Sequence, residues 1–325
     1  MNIELMQNYQ KEFLQFYRSQ GKSENSLKCY RLDFRCFNDY LSHRADILEK
    51  KSLFDQAMTQ EFEGHLGIKY QNINSIRRKL QTLRLFFDFL IKKEIVSENP
   101  IKTIHSAPKV LYPPKLHTLE EIEHVYLYLI HKMTNASSAK EKLQYSRNLI
   151  IFLIIFYAGP SVSILGELKK QDILRGNFLN SNGENLFQLR LLLHPKRRDA
   201  YSIPLPKELE IKLTHYQEIL DQEMNKDQFF FEELFFNSNA YKLISGGLSP
   251  RGLEDIFHKM SEILKLEMTP KSLRQTCILR WIALGIEQTT IKEWLGVAPS
   301  YSLILYQNVF ELNQETCNKL KSFNI

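Results

Sequence analysis

At 325 residues, with 43% hydrophobic and 25% charged residues, the chain has the balance of an ordinary globular protein and the length for about two domains. Its longest apolar run, residues 149–158, is ten residues, well under the roughly 18 to 20 that cross a bilayer, and its start has no charged-then-apolar leader, so neither a membrane-spanning nor a secreted protein is expected. The four cysteines, Cys29, Cys36, Cys277 and Cys317, show no C-x-x-C spacing and no paired framework. No disulfide scaffold, metal or other cofactor is therefore expected, and the expected compartment is a reducing cytoplasm. The net charge is +6, and residues 1–110 hold 18 Lys+Arg against 13 Asp+Glu while the remainder holds 25 against 24. A basic front is compatible with a polyanionic partner and equally with a solvated surface.

In chain order, the first hundred residues read as helices throughout. Phe13, Phe16 and Tyr17, then Leu27, Tyr30, Phe34, Phe37 and Leu41, recur at the three-and-four spacing of a buried stripe. The last of these helices places Ile76, Leu80, Leu83, Phe86, Phe87 and Leu90 on one side, with Arg77, Arg78, Lys79, Arg84, Lys92 and Lys93 over much of the rest. Either these cations are a solvated face on a core helix, or they contact the phosphates of a duplex. Residues 106–115 then carry three prolines, which cannot continue a helix and predict an extended linker. Directly after it, Thr118-Leu-Glu-Glu121 has the form of a capping box and starts a new domain.

Helices dominate again, interrupted at about residues 186–205. There Phe187, Leu189, Leu191 and Leu193 alternate with Gln188, Arg190 and Leu192, and Tyr201, Ile203 and Leu205 follow Pro195-Lys-Arg-Arg-Asp199. This predicts a β-hairpin with a basic tip. Ser249-Pro250 and Thr269-Pro270 suit helix N-caps with proline at the first helical position. A tail after Tyr306, with Val309, Leu312, Cys317, Leu320 and Phe323, is long enough for one more apolar-striped helix.

Several fragments carry a family resemblance. Gly21-Lys-Ser-Glu-Asn-Ser-Leu-Lys-Cys-Tyr-Arg-Leu-Asp33 and residues 76–90 followed by Glu98-Asn-Pro100 are similar to the DNA-clamping core-binding domain of the tyrosine site-specific recombinases, which include phage integrases and the Xer-type resolvases. Gly159-Pro-Ser-Val-Ser-Ile-Leu165 stands where that family has G-x-R-x-S-E-L, and Lys196 on the hairpin tip stands for its β-strand lysine. Thr269-Pro-Lys-Ser-Leu-Arg274 replaces T-P-H-x-L-R, Trp294-Leu-Gly-Val297 replaces L-L-G-H, and Tyr306 lies nine residues beyond Val297, the usual distance of the nucleophile. The resemblance covers nearly the whole chain.

It implies a mainly α two-domain fold with a small β-hairpin or sheet: a helical core-binding domain over residues 1–103, a linker over 104–117 and an α+β catalytic-type domain over 118–325. Such proteins clamp double-stranded DNA and attack a phosphodiester with a tyrosine oxygen. Two arginines hold the phosphate, a lysine protonates the departing 5′-oxygen and histidines assist. By resemblance Tyr306 is the nucleophile, Arg274 one clamp, Lys196 the leaving-group acid and Lys271 a substitute for the first histidine, while Arg77, Arg78, Lys79, Arg84, Arg197 and Arg198 contact DNA. Ser161 replaces the first arginine, Val297 the second histidine and Ile164 the glutamate of the first motif. A neutral hydroxyl in place of a planar cation costs about a hundred- to a thousand-fold in rate.

The expected function is thus DNA binding in site-specific recombination or integration, with cleavage impaired. An active recombinase with a divergent pocket and a purely architectural or regulatory DNA-binding protein are the alternatives. The resemblance also implies assembly as a tetramer on paired sites, or with a partner recombinase, through a C-terminal helix. Packing of that tail on its own domain is the other possibility.

Overall fold

In the computed structural model, which describes residues 3–43, 56–104, 108–179, 185–195, 199–238, 243–323 and 325, the chain divides into two units, Met1–Tyr112 and Pro113–Ile325. The first contains the helices α1 (Ile3–Ser19), α2 (Glu24–Ser42), α3 (Gln56–Lys69) and α4 (Ile73–Lys92), followed by a 3₁₀ turn over Pro100–Thr103. Local chemistry sets the starts: Ser23 Oγ accepts from Ser26 N to cap α2, and the Asn72 side chain accepts from Asn74 N and Ser75 N to cap α4. The expected stripe on α4 is inside, with Leu80, Leu83, Phe86, Phe87 and Leu90 buried. At the centre, the Phe13 ring meets those of Tyr17, Tyr30, Phe34, Phe86 and Phe89 at centroid distances of 4.5–5.8 Å, mostly edge to face.

Three of the cations expected to contact phosphates from α4 also make contacts within the unit. Asp33 is buried, and a buried carboxylate is costly unless paired. It accepts from Arg78 Nη1 at 2.7 Å, Lys79 Nζ at 3.2 Å and Thr82 Oγ1 at 2.8 Å. Lys79 is consequently only 6% exposed, with its ammonium 4.7 Å from the Tyr70 ring centre. Arg84 reaches the carbonyls of Ile101 and Ile104, each at 3.3 Å. It thereby fastens the 3₁₀ turn, whose N-cap Asn99 in turn donates to Arg84 O and Asp88 Oδ1.

The second unit is built around α6 (Ala139–Ala158), the helix that contains the long apolar run, buried throughout residues 149–158. Around it pack α5 (Leu119–Thr134), α8 (Leu209–Asp227), α10 (Pro270–Ala283) and strand β3. The remaining helices are α7 (Val162–Gly166), α9 (Pro250–Leu264), α11 (Gln288–Leu295), α12 (Ile304–Leu312) and α13 (Gln314–Lys319). The expected capping box of α5 is present, as are the N-caps Ser249 and Thr269 with proline following each.

The expected hairpin is β2 (Asn185–Leu193) against β3 (Tyr201–Leu205), antiparallel, with Leu191 opposite Ile203 and Leu193 opposite Tyr201. Its inward residues Leu189, Leu191, Leu193, Ile203 and Leu205 are buried. A further strand, β1 (Ile173–Leu179), extends the sheet to the order β1-β2-β3, and the two-residue strands β4 (Asn237–Ser238) and β5 (Leu243–Ile244) pair separately. The tail packs on its own unit: Cys317, Leu320 and Phe323 are buried, and the Phe323 ring lies 5.2–5.5 Å from those of Tyr126 and Phe156. No described helix is long and apolar enough to cross a membrane.

Candidate functional site

Helix α6 ends at Gly159 in the left-handed conformation, φ 53°, which only glycine adopts readily. A Cβ there would lie 3.2 Å from Cys277 Sγ and 3.6 Å from Arg274 Cγ, so the first motif backs directly onto α10 at Arg274. Two residues on, Ser161 begins α7. Its Oγ accepts from Ile164 N at 3.5 Å and lies 3.2 Å from Ser163 Oγ, so the residue at the first-arginine position is a helix cap.

Helix α10 presents Arg274 and is held in place from several sides. Thr269 and Ser272 close its first turn as a capping box. His117, wholly buried, lies 2.8 Å from Ser272 Oγ through Nε2 and 3.0 Å from Glu121 Oε2 through Nδ1. Burial holds this imidazole below the usual histidine range against the opposing pull of Glu121, favouring the neutral bridge. Lys115 adds a backbone bond to Gln275 Oε1 at 3.0 Å. Trp281 anchors the far end, its indole donating to Tyr157 O at 3.2 Å while its ring meets Trp294 of α11 edge to face.

The structure brings Tyr306 to this helix. Tyr306 lies in the first turn of α12 and is half-buried. Its phenol is pushed up to about 12, first by burial and then by the neighbouring Tyr301, while Arg274 and a hydrogen bond from the Gln275 side chain pull the other way. Tyr306 therefore holds its proton at neutral pH. The Arg274 guanidinium donates to Leu295 O at 3.4 Å; burial lowers its pKa, and Cys277, Tyr201, Tyr306 and Tyr301 oppose that fall. Gln275, Tyr301 and Tyr201 were not among the sequence candidates: Gln275 follows Arg274 directly on α10 but lies outside the motif, and Tyr301 and Tyr201 reach the site from other parts of the chain with no fixed spacing to Arg274.

Lys271 is exposed at the second position of α10 and lines a groove of about 920 Å³ with Phe257, Ser261 and Met268. Val297 follows the left-handed Gly296 and packs partly buried against the core. Lys196, Arg197 and Arg198 lie outside the described residues. Shortly before them in the sequence, His194 Nε2 is 3.1 Å from the buried Asp172 Oδ1. In the first unit, Arg77 and Arg78 line a groove of about 410 Å³ with Tyr30, Asn74, Gln81 and Lys109.

Residues 11–94 match the family model described as the phage integrase N-terminal SAM-like domain. The chain is 24% identical over 318 residues to the tyrosine recombinase XerC of Anoxybacillus flavithermus, an alignment covering 95% of this chain and 94% of that protein. Among solved structures it is similar to the XerH site-specific recombinase bound to its difH substrate, with a TM-score of 0.62 and 17% identity over 90% of this chain and 79% of that one. It is also similar to a lambda integrase tetramer bound to a Holliday junction, with a TM-score of 0.61 and 15% identity over 92% and 80%. These last two likenesses concern the two-domain fold. With the motifs standing in order from Gly159 to Tyr306, a matching N-terminal domain and a relative aligned along nearly its whole length, the chain is similar to the tyrosine recombinases from end to end.

Proposed function

We propose that the protein binds double-stranded DNA and acts in site-specific recombination or integration, in the cytoplasm and as an oligomer on paired sites, with strand cleavage by Tyr306 weakened. In this reading residues 1–103 form the DNA-clamping domain and residues 118–325 the catalytic-type domain, with residues 104–117 between them. Arg77 and Arg78 face backbone phosphates from the first, and Arg197 and Arg198 from the hairpin tip of the second.

The observation that carries the reading is the placement of the Tyr306 phenol beside Arg274 and Gln275 while the residue at the first-arginine position caps α7. Attack of the phenolic oxygen on phosphorus forms a 3′-phosphotyrosine and releases the 5′-oxygen, which Lys196 protonates; attack by a 5′-hydroxyl then restores the phosphodiester. The phosphate gains charge as the bond forms. Arg274 stabilises that charge with a charge-assisted hydrogen bond, and Ser161, engaged with Ile164 N, adds no cation. The phenolic proton must also leave, and neither Gln275 nor Val297 is a base to take it, so it passes to water.

The test uses the full-length protein and duplex DNA recovered with it, presented as a nicked suicide substrate. The expected result is tight binding that weakens steeply between low and physiological salt, as neutralised phosphates release counterions, together with a slow covalent adduct on a denaturing gel that Tyr306→Phe abolishes. Salt-independent binding, or no binding to any duplex, refutes the DNA-binding reading. Rapid cleavage refutes the weakening, and no adduct on a tightly bound site makes the protein a binding module.

A further inference from the structure

The second-histidine position holds Val297, whose side chain has no hydrogen-bonding group, yet the space beside it contains a hydroxyl. Gly296 ends α11 at φ 63°, and a Cβ built on it would lie 2.8 Å from the phenolic oxygen of Tyr201 and 3.3 Å from its ring carbon. At Gly285, another left-handed glycine, a Cβ would meet nothing within 4 Å. The crowding at Gly296 is therefore specific: the hydroxyl end of Tyr201 is seated against the backbone of the residue preceding Val297.

One residue earlier, Leu295 gives its carbonyl to Arg274 Nη2 at 3.4 Å. The Tyr201 hydroxyl and the Arg274 guanidinium thus converge on the same helix C-terminus. Tyr201 is also the first residue of β3, opposite Leu193, just past the hairpin tip that carries Lys196. Its ring is half-buried against the core of the unit, so the strand and that packing hold the hydroxyl in position. Tyr201 lies near enough to Arg274 to oppose the fall that burial imposes on its guanidinium. A phenolic O–H is a neutral donor and suits a non-bridging phosphate oxygen.

Resting on the recombinase reading above, we propose that Tyr201 is a phosphate-binding residue of this site, donating from its hydroxyl beside Arg274 where the side chain of Val297 offers no donor. The ligand class is a phosphodiester or its mimic, inorganic phosphate.

The chain carries its own reporter. Its two tryptophans are Trp281 and Trp294, whose rings pack at 5.1 Å, Trp281 on the same helix as Arg274 and Trp294 next to Leu295. Inorganic phosphate is titrated into the full-length protein, followed by tryptophan fluorescence, for the wild type and for Tyr201→Phe, Arg274→Gln and Tyr201→Phe/Val297→His. Arg274→Gln is expected to remove binding. Tyr201→Phe keeps the ring and deletes one neutral hydrogen bond, so affinity is expected to fall about five- to tenfold, and Val297→His is expected to restore most of it. Unchanged affinity in Tyr201→Phe with loss in Arg274→Gln overturns the role of Tyr201 and leaves the recombinase reading standing. A loss that Val297→His does not correct assigns the tyrosine to packing and overturns the proposal. Phosphate binding that is absent in the wild type, or indifferent to Arg274→Gln, overturns it together with the reading on which it rests.

Discussion

Replacing Ser161 with arginine exchanges a helix cap for a cation, and the structure sets the size of both effects. The cap bond from Ile164 N is 3.5 Å long, at the limit of hydrogen-bond geometry, so its loss belongs toward the low end of the roughly 0.5–2 kcal/mol typical of N-caps. A change near 1 kcal/mol lowers the melting temperature by about 2–4 °C for a unit of this size, and the variant should fold. The gain is a charge-stabilising donor at the attacked phosphate, typically about a hundred- to a thousand-fold in rate. Ser161→Arg should therefore raise the rate of covalent attachment to a nicked duplex by about a hundredfold over wild type, measured on a denaturing gel at equal occupancy of the DNA. Tyr306→Phe in that background should remove the adduct. Wild-type cleavage as fast as that of the variant would mean that another cation, most directly Arg197 or Arg198, already serves the phosphate. An arginine variant that binds the site and forms no adduct would refute the claim that the missing cation limits the reaction.

Asp33→Asn should destabilise the first unit by about 3–5 kcal/mol, because it leaves the buried Lys79 ammonium without its carboxylate; a urea transition unchanged from wild type would contradict this. Arg77→Ala should weaken DNA binding evenly across sequences and lower the salt slope by about one, whereas Arg84→Ala should lower stability, since Arg84 fastens the Pro100–Thr103 turn. Melting curves and binding at several salt concentrations separate the two, and the opposite assignment would show that the α4 cations are misplaced. Tyr306 favours its protonated form in the fold, with the phenol raised to about 12 from an ordinary 10. Its stabilising contribution is accordingly complete below pH 10 and lost as pH rises from about 10 to about 12. Denaturant titrations should show a shallower alkaline loss of stability in Tyr306→Phe than in wild type, and identical slopes would argue against the burial.

What could be read from the sequence was what chemistry fixes within a few residues. Thr118 with Glu121, Ser249 with Pro250 and Thr269 with Pro270 announce helix starts because capping reaches only three residues, and the Leu189–Leu193–Ile203–Leu205 alternation announces the hairpin. Strand β1 was missed because Gly176 and Asn177 interrupt any alternation, and its pairing with Leu191 and Phe187 is supplied by the sheet. Lys79 reads as surface charge until Asp33 is brought beneath it from another helix. Ser161 stands out in sequence as an absent arginine, and its capping role depends on the short helix that follows. Gln275 and Tyr201 have no motif to mark them and become visible only when α10, α11 and β3 are placed together.

The pattern of gains and losses around Arg274 separates binding from turnover. Where the family's first arginine, glutamate and second histidine are missing, the replacements serve the fold: Ser161 caps α7, and Ile164 and Val297 pack against the core. The first two losses are also coherent with each other, since a carboxylate kept at 164 without its arginine would repel a phosphate that only Arg274 then attracts. Arg274 is the contrary case. Withdrawing a guanidinium from water costs several kcal/mol unless it is paired, and among the described residues no carboxylate lies within ion-pair distance of it. Arg147, more deeply buried, donates to Phe236 O at 2.7 Å and to Asn148 as well, and Arg280 stacks over Phe156 and Tyr157. By comparison the 3.4 Å contact of Arg274 with Leu295 O is a poor partner for a cation. On the proposed reading, a charge kept where folding gains least from it, beside Tyr306 and the Tyr201 hydroxyl, is kept for an anion from outside the chain. Such a site can hold a phosphate while lacking what speeds its transfer.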